Sequence, residues 1–435
     1  MDLWTNTEQH DQSTTGATEV GREVSAISAR RSTRRLTDRA TLSLLRDWLM
    51  QDYVIPYCHI LSATRIFRRC YWVDNLGGYD AKSLRIPPEV KPAPASTATK
   101  KQRSKKSPQT STQPVALQPL TTLTQTLAQD SLPIAFHGLL LISANGQKRQ
   151  SQSKPKKTEA TEMNIPTEES GILATSWSDI APTLLKEIEH APALFILDPL
   201  SPQIFSSEDL NPLYQRTIPT ELCFVVAHKL IETRLQAAHR SPELGSRLTA
   251  LLRSNRWKIL PTTGKEAIDG FLELFIASMQ RHFQWTPQLI NLPVQNGAAS
   301  TTNIPYTLVY ATRRQDSLLI MNDALCCYQR QTYQQSYQGV LSEAWFVQQE
   351  HKHREEDLQQ LNQQLQQQGK ALRARRWPEL RQQMILSDFG HFTRQEYDQS
   401  LQQLIDQQHV RCVWRQAPKD QEKRTPDSGD TLIWS

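Results

Sequence analysis

Two short stretches carry the residue types that a ligand site needs. The first is Cys70-Tyr71-Trp72-Val73-Asp74-Asn75-Leu76-Gly77-Gly78-Tyr79, an apolar run closed by an acid and a glycine pair. A buried strand ending in a tight turn reads this way, and nucleotide-like ligands sit at the carboxyl ends of parallel strands. Asp74 and Asn75 would supply polar oxygens there, and Gly77 and Gly78 would let the backbone approach a ligand closely. Two glycines after a strand also make a plain turn, so the motif by itself has little specificity. The second stretch, Ala193–Leu200, ends in Asp198-Pro199. A carboxylate followed by proline at a strand end can accept hydrogen bonds from an amine and hold it in line for transfer. It can equally cap the turn that follows. Glu221 and His228 flank a third apolar run, and His228 has no obvious acid partner.

The elements that would position these residues alternate. Leu44, Leu45, Trp48, Leu49 and Tyr53 recur at helical spacing ahead of a strand over residues 67–74. A helix is expected at Leu117–Leu127, a strand at Ala135–Ser143, a short strand at Gly171–Thr175 and a helix at Trp177–Ile188. Further strands fall at Ala193–Leu197, Glu221–Ala227 and Tyr306–Thr312. Residues 229–285 read as mostly helical, and a helix carrying Leu318, Leu319, Met321 and Leu325 follows the last strand. Alternation of this kind implies an α/β fold, a mostly parallel sheet with helices on both faces.

The net charge of +6 is unevenly placed. Residues 82–114 carry +7 and residues 147–158 carry +5, so the rest of the chain is acidic. Both tracts are rich in Pro, Ser, Thr and Lys and cannot bury enough apolar surface to fold alone, so they read as solvated insertions, at about 82–114 and 146–168. Such tracts also attract nucleic acid. Residues 1–36, with Arg30, Arg31, Arg34 and Arg35 near their end, read as a disordered leader to an α/β domain over 37–345. No apolar run of about 18 residues predicts a membrane span, and no secretory signal is expected. The six cysteines show no metal-ligand spacing, so reduced thiols, a cytoplasmic location and no metal are expected. Cys326-Cys327 reads as a pair buried in a helix rather than a redox pair.

After residue 345 the texture changes. A Gln-rich linking helix is expected over 346–375, with Leu358, Leu361 and Leu365 on one side. Trp377–Leu386 and Thr393–Gln407 read as two helices, the second opened by the capping box Thr393-Arg394-Gln395-Glu396. Two strands, Val410–Trp414 and Thr431–Trp434, then flank a charged loop. Helix, helix, strand, wing, strand is the order of a winged-helix domain, here 376–435. If it bound DNA, Arg394 and Gln395 would lead the second helix into the groove, with Lys419, Lys423 and Arg424 in the wing. Glu396, Asp398 and Asp406 on that helix disfavour phosphates, so a protein partner is the preferred use.

In this order of elements the chain resembles the three-Cys-motif partner proteins, a bacterial family with a methyltransferase-like Rossmann domain and a C-terminal winged helix. The resemblance rests on Leu44–Tyr53, on Tyr71–Tyr79, on Ala193–Leu200, and on Tyr306–Thr312 with Met321. It spans roughly residues 37–415 through short motifs. It implies an S-adenosylmethionine methyltransferase-type sheet, with Asp74, Asn75, Gly77 and Gly78 at the cofactor and Asp198 and Pro199 at the reacting amine. It also implies a cysteine-motif partner protein, an iron–sulfur or radical enzyme, in a mobile-element or phage setting.

Three departures from the family pattern bear on function. Asp80 stands where the family has a further glycine. The second strand ends Leu141-Ile142-Ser143-Ala144-Asn145, without the acid that would hold ribose hydroxyls. Asp198-Pro199-Leu200-Ser201 lacks the second proline and the aromatic that would stack on a flipped base. An eroded cofactor site is therefore expected, in a protein that acts with its partner. The alternatives are an active methyltransferase on nucleic acid and a DNA-binding regulator.

Overall fold

The computed structural model describes residues 42–43, 45–77, 114–142, 169–283, 285, 287–292, 306–337, 343–415 and 425–435. The leader over 1–36, Leu44, Gly78, Tyr79 and Asp80, the insertion to residue 113, residues 143–168, and Lys419, Lys423 and Arg424 lie outside them.

Seven strands form the central sheet: β1 (Arg69–Asp74), β2 (Ala135–Leu141), β3 (Gly171–Leu173), β4 (Ala193–Leu197), β5 (Thr220–Ala227), β6 (Gln288–Leu292) and β7 (Tyr306–Ala311). Their order is β3-β2-β1-β4-β5-β7-β6. Strands β3 through β5 in that order pair parallel. β7 runs antiparallel to both β5 and β6. The fold is thus α/β and Rossmann-like, with a mostly parallel mixed sheet. β6 was not legible in the sequence. It is a five-residue edge strand in which only Ile290 and Leu292 are buried, so it offers little apolar pattern.

The strand sequences follow from burial on both faces. In β1, Tyr71 and Val73 enter one core while Cys70 and Trp72 enter the other. The first core is covered by α3 (Trp177–Glu187), α4 (Ser207–Gln215), α5 (His228–Arg240), α6 (Pro242–Leu252) and α7 (Lys265–Met279). The second is covered by α1 (Ile55–Ala63), α2 (Gln118–Gln129) and the first part of α8 (Gln315–Tyr337). The chain enters α1 through a π-helical stretch, Leu49–Val54, where helical spacing alone predicts a regular α-helix. Within α8 the adjacent cysteines part company: Cys326 is buried and Cys327 exposed, so the expectation of a buried pair holds for one thiol only. Burial pushes the Cys326 thiol up to about 12.

The C-terminal part is built from α9 (Glu343–Ala371), α10 (Trp377–Ser387), α11 (Arg394–Asp406) and an antiparallel hairpin, β8 (Val410–Val413) and β9 (Thr431–Trp434). Its core joins Leu361 and Leu365 of α9 to Trp377, Leu380, Ile385, Tyr397, Leu401 and Leu432. Ahead of α10 the backbone lies beside β9, where the Leu432 N–H donates to the Arg375 carbonyl at 2.8 Å. Leu319 of α8 also enters this core and ties it to the α/β part. Among the described residues no helix is long and apolar enough to cross a membrane.

Candidate functional site at the strand ends

In the order β3-β2-β1-β4-β5 the chain reverses direction of travel between β1 and β4. A doubly wound sheet opens its ligand crevice at that point, beyond the carboxyl ends of the strands. Asp74 and Asn75 end β1 there, and Asp198 ends β4. The sequence motifs thus fall at the one place in the sheet where chemistry is expected.

Asp74 is wholly buried, and its oxygens are spent inside the protein. Oδ2 accepts from Nε of Arg46 at 2.6 Å, and Oδ1 accepts from Nη2 of Arg46 at 3.3 Å and from the Leu76 N–H at 2.9 Å. The same Nη2 donates to the Gly77 carbonyl at 2.8 Å. One guanidinium therefore clamps both the acid and the loop that follows it. Gly77 adopts φ +65°, a left-handed conformation that suits glycine, so this glycine is required by the turn itself.

Asn75 faces the second motif directly. Its Oδ1 accepts from the Asp198 N–H at 2.7 Å, a bond that spans the crevice between β1 and β4. The Asp198 carboxylate turns back on its own loop, where Oδ1 accepts from the Leu200 N–H at 2.9 Å. Pro199 is buried behind it. Desolvation pushes the Asp198 carboxyl up to about 7, against the Leu200 and Ser201 N–H groups and Arg234, which favour the charged form. Arg234 of α5 braces the loop by donating to the Leu200 carbonyl at 3.0 Å and the Pro202 carbonyl at 2.7 Å. Asp198 thus has both the capping role and the near-neutral ionisation that a proton-handling group needs.

His228, at the end of β5, bonds Thr307 Oγ1 at 2.8 Å, and Thr307 Oγ1 donates to Asn291 Oδ1 at 3.2 Å. Burial lowers the His228 pKa, with Asp269 and Glu232 acting against it. Glu232 lies one turn further along α5, whereas Asp269 comes from α7 and is the neighbour that the sequence does not reveal. Glu221 lies at the opposite end of β5, wholly buried, and accepts from the Tyr310 hydroxyl at 2.8 Å. Burial raises its pKa while the hydroxyls of Tyr310, Thr312, Ser317 and Tyr53 pull it down. Its place at the amino ends of the parallel strands keeps it away from the crevice.

The β2 end carries Leu141 and Ile142, both apolar, and no carboxylate. Among the described residues no group of three or more His, Cys, Asp and Glu could hold a metal ion. Arg394 is held by Asp323 of α8, through Nε to Oδ2 at 2.6 Å and through its backbone N–H to Oδ1 at 2.9 Å. Gln395 is exposed beside it.

Arg46 is the site residue that sequence reasoning missed. Its signal was present: Arg46, Met50 and Tyr53 fall on one helical face, and an arginine in an apolar face needs an acid to meet. No protein-family model and no curated protein matches the chain.

Proposed function

We propose that this chain is a methyltransferase-type α/β protein with a C-terminal winged helix, which acts through a protein partner rather than by methyl transfer. The observation that carries this reading is the Arg46–Asp74 clamp. The acid that would face a cofactor is buried, bonded on both oxygens and tied to the Gly77 carbonyl through one guanidinium. The residues present do not fit S-adenosylmethionine: the β1 acid is committed internally, and β2 ends without a carboxylate for ribose hydroxyls.

The fold type is supported by the strand order. An antiparallel β7 inserted between β5 and β6 is the departure from the dinucleotide-binding order that methyltransferase-type sheets make. The winged-helix reading is supported by the succession of α9, an extended strip at Arg375 paired with β9, α10, α11 and the β8–β9 hairpin. Docking of α11 on α8 through Arg394–Asp323 favours a protein-binding use, because the arginine that would lead the helix into a groove is already paired with an acid. The resemblance to three-Cys-motif partner proteins names the partner as a cysteine-motif protein, and a cytoplasmic setting goes with it.

A second reading, an active methyltransferase on the amine of a nucleic acid, is favoured by Asp198 alone. It stands at the crevice and ionises near neutrality. Transfer of a tritiated methyl group from S-adenosylmethionine to mixed DNA and RNA decides between the two. The partner reading expects no incorporation by the wild type. Incorporation that is lost in Asp198→Asn would establish the second reading instead.

A further inference from the structure

Between the end of α9 and β9 lies a groove of about 630 Å³, lined by Gly369, Lys370, Arg373, Arg375 and residues 431–435. Its wall is fixed. Trp434 donates from Nε1 to the Ala374 carbonyl at 2.7 Å, and its ring lies so close to Gly369 that a Cβ there would come within 2.4 Å. Lys370, Arg373 and Arg375 are exposed, and among the described residues none of the three has an ion-pair partner. No acidic side chain lines the groove.

One backbone N–H of β9, that of Trp434, is open on the same side. Ser435 N–H donates to the His409 carbonyl at 3.0 Å, which sets the register so that residues 431, 433 and 435 bond to β8. Residues 432 and 434 then point to the other edge. There the Leu432 N–H is taken by Arg375, and no described group takes the Trp434 N–H. Ile433, on the outer face of the hairpin with Val413, is 49 % exposed. An open backbone N–H, an exposed apolar side chain and three exposed cationic side chains occur together.

We propose that this groove receives an extended acidic segment of a partner protein, which pairs with the edge of β9 at Trp434, beyond the Arg375 strip. Main-chain bonds to the strand edge would give the segment its register. Alternate acidic side chains would meet Lys370, Arg373 and Arg375, and the apolar ones between them would cover Ile433. Charge complementarity commits the occupant to an acidic chain, and the strand edge commits it to a peptide. A phosphate backbone has no row of N–H and C=O groups to pair with β9 and gains nothing from Ile433 and Val413. The proposal rests on the reading that the chain works through a protein partner, and it names the kind of segment that partner must present.

The test uses the full chain and fluorescein-labelled heptapeptides in which Glu, or Lys as the control, alternates with Val, followed by fluorescence anisotropy. The Glu peptide should bind, the Lys peptide should not, and K370E/R375E should weaken binding at least tenfold. Lys258→Glu, an exposed charge change in the α/β part, should leave binding unaltered. Hydrogen exchange should slow at the Trp434 amide when the Glu peptide is added, a readout that a merely electrostatic contact would not move. Absent binding of the Glu peptide, binding indifferent to K370E/R375E, or an unprotected Trp434 amide each overturns the proposal. So does a labelled 16-base-pair duplex that binds more tightly than the peptide and is lost in K370E/R375E. Self-association in sedimentation that K370E/R375E abolishes would give the groove to a second copy instead. Titration of the same preparation with S-adenosylmethionine separates the two levels: cofactor binding with methyl transfer removes the partner reading, whereas its absence with no peptide binding removes only the groove.

Discussion

Asp74 places a carboxylate at the end of β1 in a buried position, where it requires a cation, and Arg46 supplies one. Removing one partner of such a buried pair leaves the other charge unpaired. Arg46→Ala should therefore cost about 3–5 kcal/mol in urea unfolding. Adding Asp74→Asn to that variant should restore more than half of the loss, because a neutral amide tolerates burial without its cation. If Arg46→Ala is neutral, the clamp is not what holds the loop. Glu221 gives a parallel case at the other end of the sheet. Glu221→Ala would leave the buried Tyr310 hydroxyl without its acceptor, at a cost of about 2–3 kcal/mol, whereas Glu221→Gln should stay within about 1 kcal/mol of wild type. Asp198 adds a pH dependence. Its folded pKa of about 7 lies above the unfolded carboxylate value, so the folded state holds the proton more tightly. Stability contributed by that proton is complete below about pH 4 and is lost as pH rises to about 7. Asp198→Asn, which keeps an Oδ1 acceptor for the Leu200 N–H, should gain on wild type between pH 5 and pH 8, by at most about 4 kcal/mol. An unchanged difference across that range would mean Asp198 is ionised throughout.

At the scale of elements, the sequence was most readable where strands are buried on both faces. Residues such as 70–74 and 193–197 carry unbroken apolar runs because both cores claim them. β6 escaped because an edge strand with two buried residues has almost no pattern, and Leu49–Val54 escaped because π-helical winding has the same residue types as an α-helix. The capping box at Thr393 was legible, since Thr393 Oγ1 and Glu396 satisfy each other's backbone N–H within one turn. What α11 packs against was not. Arg394 reads as a surface cation until Asp323, 71 residues earlier, is placed beside it. Asn322 completes the joint. Its Nδ2 donates to the Phe392 carbonyl at 2.8 Å, and its Oδ1 accepts from the Gly390 N–H at 2.8 Å, with the side chain wholly buried. Asn322→Ala leaves both backbone groups without partners and should cost about 2–4 kcal/mol, with faster proteolysis in the 388–393 loop as the local readout. Loss of stability without a change at that loop would place the joint elsewhere.

Across the whole molecule, the sheet order places Asp74, Asn75 and Asp198 at one switch point, and the Asp198 backbone N–H bonds Asn75 Oδ1 across it. That the motifs meet was foreseeable from strand order. The commitment of Asp74 inside the protein was not, because it depends on Arg46 arriving from a helix 28 residues earlier in the chain. The chain has a Rossmann-like α/β architecture whose switch-point acid is committed internally, and its C-terminal part offers a cationic groove beside β9. Isothermal titration of the full chain with S-adenosylmethionine tests this most directly. No saturable heat is expected up to millimolar cofactor. A dissociation constant in the micromolar range, weakened on replacing Asp74, would contradict it and return the crevice to the cofactor.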